Sequence, residues 1–191
     1  MAIGKDKPEQ AVNRCWKDAV RIVLDEATTA LAEAFCGLPD EQVWRRPLPD
    51  RHSIGTMVMH CLENLNGFAC WVQTGTGVEG ISEEDWFDMW SHTPQELDAR
   101  QHDMALPGAP HMAEWVRRVR EAAVAGLDLA TEEDLRGSRA DSHWCRATGR
   151  TAGDAYMRTI CHIMAHTRQI WCLRGAMGLA DAQNWPQQHY A

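Results

Sequence analysis

The sequence predicts an all-α fold, a four-helix bundle with a long crossover between its second and third helices. Four long stretches repeat apolar residues at three- and four-residue steps, and no stretch carries a convincing strand pattern. The segment 74–110, longer than any other connection, separates the second stretch from the third. A chain of 191 residues buries one good core. The expectation is therefore a single domain over 1–191, with an arm at about 1–10 and a tail at about 179–191.

The first helix spans about 11–35, with Val12, Trp16, Ala19, Val20, Val23, Ala27, Ala30, Leu31 and Ala34 as its apolar stripe. Cys36-Gly-Leu-Pro39 stops it, with glycine and proline in their usual places. The proline-rich run 39–50 is a structured connection with room for one helical turn. The second helix starts near Ser53, an N-cap, and runs to about Gln73. Thr56, Met57, His60, Asn64 and Trp71 share one of its faces, and Gly75 and Gly77 close it. In the excursion, Ser82-Glu-Glu-Asp85 and Thr93-Pro-Gln-Glu96 read as capping boxes, the first ahead of a short helix carrying Trp86 and Trp90. Leu106-Pro-Gly-Ala-Pro110 breaks the chain again. The third helix covers 112–130 and buries Trp115, Val116, Val119, Ala122, Ala123 and Leu127, leaving Arg117, Arg118, Arg120 and Glu121 outside. Thr131 opens a short capped turn, and 136–150 is a polar loop anchored by Trp144. The capping box Thr151-Ala-Gly-Asp154 starts the fourth helix, which ends at Gly175 or Gly178.

Charge and composition narrow the function. A net charge of −8 argues against nucleic acid and anionic membranes as partners. No apolar run is long enough to span a bilayer, and the first ten residues lack the apolar core of a signal peptide. Seven cysteines, an odd number with no CxxC pair, fit a reduced cytoplasmic setting in which most thiols act as small core residues. Nine tryptophans imply a bulky core or a ligand-binding wall; Trp71 and Trp171 are candidates for the wall, and core packing is the plainer reading.

The fourth helix carries the chemistry. His162 and His166 stand four residues apart, so both rings lie on one helical face, within reach of a common metal ion. Their stripe continues through Ala155, Thr159, Ile170, Leu173 and Met177, which points the rings toward the core. Spacing alone leaves two readings open, a metal pair or two satisfied core histidines. His60 adds a third inward-facing imidazole if the second helix faces the fourth. Three imidazoles and a vacant position describe a catalytic rather than a structural site. Asn64, one turn past His60, either orients a bound group or bonds to backbone. Gln169 either supports His166 or makes a helix-end contact. Cys161, about 100° off the face of His162, reads as packing, and Glu63 as solvated. His52, His92, His102, His111, His143 and His189 read as surface residues.

Three features resemble the DinB/YfiT-like metalloenzyme family. They are the Trp44–Pro49 segment leading into Ser53-Ile-Gly-x-x-x-x-His60, the Thr93-Pro-x-Glu-Leu helix start, and His162-x-x-x-His166-x-x-Gln169-Ile170. The likeness covers roughly residues 11–179. It departs at Arg168, where the family usually has glycine, and in an enlarged region between the second and third helices. The resemblance implies an antiparallel four-helix bundle that holds a divalent metal through His60, His162 and His166. Zinc and nickel are the expected ions, with iron and copper also suited to imidazole. Relatives of this kind look like S-transferases or isomerases that use a low-molecular-weight thiol such as bacillithiol or mycothiol, and they are often homodimers. The expected partner is a small electrophilic molecule. A hydrolase acting through activated water and a non-catalytic metal- or ligand-binding bundle are the alternatives.

Overall fold

Residues Pro8–Phe35 form α1, which ends where Gly37 takes a φ of 76°, a conformation that favours glycine. The computed structural model describes residues 8–67, 96, 106–137 and 148–179. The expected capping boxes at Ser82 and Thr93, the tryptophans at 71, 86, 90 and 144 and the C-terminal tail lie outside these residues, Glu96 apart. After α1 come α2 (Asp40–Trp44), α3 (Ile54–Asn64), α4 (Ala109–Leu129), α5 (Glu132–Arg136) and α6 (Ala152–Ala176). The described residues contain no strand, so the fold is the expected all-α helical bundle.

Capping chemistry sets most of the boundaries. The Ser53 hydroxyl accepts from Thr56 N–H at 3.1 Å and starts α3. Reciprocal capping boxes, Thr131 with Asp134 and Thr151 with Asp154, start α5 and α6 as the sequence indicates. The start of α4 differs from expectation. Ala109 and Pro110 belong to its first turn, where a missing N–H leaves no helical bond unmade. Its N-cap, Gly108, has no side chain to offer, and Asp40 of α2 supplies the cap instead, accepting from Ala109 N–H at 3.0 Å. Regular α3 stops at Asn64, where a wider turn over 65–67 replaces it; residues 68–73 of the expected helix lie outside the described residues.

The four long helices pack through specific contacts. Lys17, near the start of α1, donates to Ala130 O at the end of α4, and Arg120 lies 3.4 Å from Asp25 between them, so α1 and α4 run oppositely. Trp16 packs by Gly153, and Arg174 donates to Ala34 O at 2.9 Å, so α1 and α6 run the same way. His60 meets His162 and His166, and Asn64 meets Arg158, so α3 opposes α6. It follows that α3 and α4 share a direction.

The core is apolar at its centre: Leu24, Leu31, Phe35, Leu62, Met112, Val119, Leu127, Ile163 and Ile170 are fully buried or nearly so. The buried face of α1 keeps Val20, Ala27, Leu31 and Ala34 of the expected stripe and is wider than it. Leu24 and Thr28 are buried and Ala19 is exposed, because α1 covers both α4 and α6 and its contact face widens accordingly. Trp44 lies against the backbone of α3 at Gly55, where a Cβ would come 2.6 Å from its ring, and its indole N–H donates to Pro107 O at 2.9 Å. That tryptophan thus ties Pro107, just ahead of α4, to the start of α3. The cysteines depart from the sequence reading: among the described ones only Cys61 is buried, and Cys36, Cys161 and Cys172 are exposed. For Cys161 the cause is its position on α6, on the side turned away from α1 and α3.

Candidate metal centre

Helices α3 and α6 bring three imidazoles together across their antiparallel contact. The ring centroids of His60 and His162 are 4.6 Å apart, those of His60 and His166 5.1 Å, and those of His162 and His166 4.5 Å. One nitrogen from each ring lies within 4.8 Å of the others. Two nitrogens on one ion, each at the usual 2.0–2.1 Å, stand roughly 3.3 Å apart in a tetrahedral site, so a modest rotation of the rings closes the distance. The carrier of this geometry is helical register: four residues separate His162 from His166, and α3 crosses opposite them.

All three rings are half-buried, at the border between the core stripe of α6 and its exposed side. Burial pushes the His162 pKa down from 6.5 to about 4, helped by His166, His60 and the Arg158 guanidinium. Burial also lowers His166, against the opposing effect of its bond to Gln169. Both rings are therefore neutral at physiological pH, the form that ligates metal.

The donor set fits a cation. His162 Nε2 is buried and has no hydrogen-bond partner among the described residues, a cost that a bound ion would remove. Gln169 Oε1 stands 2.7 Å from His166 Nδ1; an amide oxygen only accepts, so Nδ1 donates and Nε2 keeps its lone pair. Among the described residues no cysteine shares the cluster, and burial raises the pKa of the Cys61 thiol, which leaves it unreactive.

The surrounding residues sort as follows. Asn64 is buried and its amide donates to His60 O at 3.0 Å, while its oxygen accepts from Arg158 at 3.2 Å; this is the backbone-bonded arrangement. Trp171 is partly buried, with the Arg174 guanidinium 4.7 Å from its ring. His111 is exposed and accepts from the Trp115 indole. Two residues differ from the sequence reading. Glu63, expected in solvent, brings Oε2 to 3.7 Å from His60 Nδ1, because three residues on a helix return to nearly the same face. His52, expected at the surface, is half-buried and close enough to His60 for their charges to interact. Arg158 was not singled out, although it precedes His162 by one turn on the same face; i,i+4 spacing was the available signal. His92, His102, His143 and His189 lie outside the described residues.

The profile of the DinB superfamily matches residues 24–170, a span that contains the three histidines and Gln169. No curated protein matches the chain.

Proposed function

We propose that this chain, which belongs to the DinB superfamily, is a metal-dependent enzyme that joins a low-molecular-weight thiol to a small electrophile, as an S-transferase or isomerase. One observation carries the reading: one nitrogen from each of three imidazoles on two facing helices lies within 4.8 Å of the others, and one ring presents a buried nitrogen with no partner among the described residues. When bound there, a divalent ion keeps its full charge, because imidazoles contribute none, and it acidifies a thiol or water held against it.

The chain's own residues supply the rest. His60, His162 and His166 hold the ion, and Gln169 orients His166 through its Nδ1–H. Arg158, fixed to Asn64, adds positive charge beside His162 and so favours negative charge developing on sulfur. The half-buried setting limits the water that screens these charges.

The test is a turnover assay with metal, thiol and electrophile each omitted in turn. Product formed only when all three are present supports the proposal. Equal turnover without thiol overturns it in favour of hydrolysis. Tight metal binding with no turnover across a broad substrate panel leaves a binding protein as the better account.

A further inference from the structure

A ring that ligates through one nitrogen must carry its proton on the other, and the neighbour of that other nitrogen decides which it is. On α6 the neighbour is Gln169, three residues past His166, and it fixes the proton on Nδ1. Helix α3 repeats the arrangement. Glu63 follows His60 by three residues and brings its carboxylate to 3.7 Å from His60 Nδ1. Two opposed helices thus place an acceptor at the same offset from a histidine of the same cluster. The carboxylate is 33% exposed and His60 only 12%, so Glu63 has the freedom to close the remaining distance while the ring stays in place.

Asn64 is a competing neighbour. Its Nδ2 lies 3.4 Å from both ring nitrogens of His60, long for a hydrogen bond and favouring neither. Its shorter bonds run to His60 O and from Arg158, and they fix the amide. A carboxylate offers only lone pairs, so it attracts Nδ1–H and repels a bare Nδ1.

We propose that Glu63 is a positioning residue that holds His60 as the Nδ1–H tautomer and so turns the Nε2 lone pair toward the ion. Together with Gln169 and the unpartnered Nε2 of His162, it makes the cluster a set of three Nε2 donors before metal arrives. This rests on the three-histidine reading of the site, but it concerns the metal-free chain and is tested there.

Nitrogen-15 spectra of the full chain, freed of metal at about pH 8 and thus above the usual imidazole pKa of about 6.5, report the tautomer of each ring. His60 and His166 are expected as Nδ1–H in the wild type. Glu63→Met removes the acceptor and keeps the length of the side chain. His60 should then lose its bias toward Nδ1–H and show a larger Nε2–H fraction, and Co²⁺ affinity should fall roughly 10–100-fold. Glu63→Gln keeps an acceptor oxygen and should preserve both tautomer and affinity. An Nε2–H His60 in the wild type, or an unchanged tautomer in Glu63→Met, overturns the proposal. A Glu63→Gln variant as impaired as Glu63→Met also overturns it, since charge alone would then account for the effect. Equal helical circular dichroism in the three proteins shows that folding is not the cause. If the wild type binds no cobalt, the metal reading falls, and the tautomer assignment is still decided by the metal-free spectra.

Discussion

Two antiparallel contacts in this bundle are built on opposite terms. Between α1 and α4 the interior is apolar, with Leu24, Leu31, Val116, Val119 and Ala123 buried, and the charges stay at the rim as Arg21–Asp128 and Arg120–Asp25. Between α3 and α6 the contact carries three imidazoles, Asn64 and Arg158. Rim ion pairs remain solvated and change stability little. The imidazoles are drawn away from water, and His162 shows it in a pKa pushed down to about 4. The first contact holds the fold; the second draws polar groups partly out of water, and among the described residues one of them, His162 Nε2, finds no hydrogen-bond partner.

Removing a histidine should separate the two most sharply. His60→Ala, His162→Ala and His166→Ala should each strip most of the metal, because a chelate of three loses a third of its donors, while His111→Ala should leave it in place. Helical content should survive in all four. Elemental analysis of protein purified without added metal is the measurement, and full occupancy in His60→Ala would show that α3 takes no part. Leu24→Ala should do the reverse: a loss of about 2–5 kcal/mol in urea unfolding, from lost burial plus a residual cavity, with metal content unchanged. A much smaller loss would mean that α1 collapses readily onto its neighbours. Thr151→Ala removes the hydroxyl that caps α6 and should cost about 1 kcal/mol, with metal affinity nearly unaltered because the cap lies about three turns before His162. A clear fall in affinity would instead tie the start of α6 to the register of the site.

The sequence made the fold legible where local chemistry decides it. Ser53, Thr131 and Thr151 act as caps as they stand in the sequence, and the stripe of α4 reads correctly from Trp115 to Leu127. What it hid depends on partners distant in the chain. Leu24 is buried because α1 touches two helices at once, and Ala109 starts α4 because Asp40, sixty-nine residues earlier, caps it. The histidines were legible through their spacing and the family likeness, since i,i+4 needs no tertiary information. Their meeting with His60 depended on which helices face each other, and the place of Glu63 on which way α3 is rotated.

The smallest expected effect concerns pH, and it distinguishes the two regions without any metal. Folding lowers the His162 pKa from 6.5 to about 4, and lowers His166 in the same direction. Between those pH values the unfolded chain holds a proton that the folded chain refuses, so stability rises with pH in that interval. The contribution is complete above about 6.5, the ordinary imidazole value, and is lost as pH falls toward 4. Asp154 behaves alike but later. The Thr151 backbone N–H and hydroxyl hold its carboxyl below 3.8, so the loss at that cap begins only in stronger acid. The apolar contact of α1 with α4 has no buried titrating group of its own to add in the upper interval, among the described residues. Urea unfolding of the metal-free protein between pH 8 and 5 should therefore show a stability decline that His162→Asn makes shallower and Leu24→Ala leaves parallel, only lower. The decline should be modest, because the ring is partly open to water, which screens the cost of charging it. Identical slopes in the wild type and His162→Asn would mean that the ring is as well solvated in the fold as outside it. The orphaned nitrogen would then carry no cost for a metal ion to relieve.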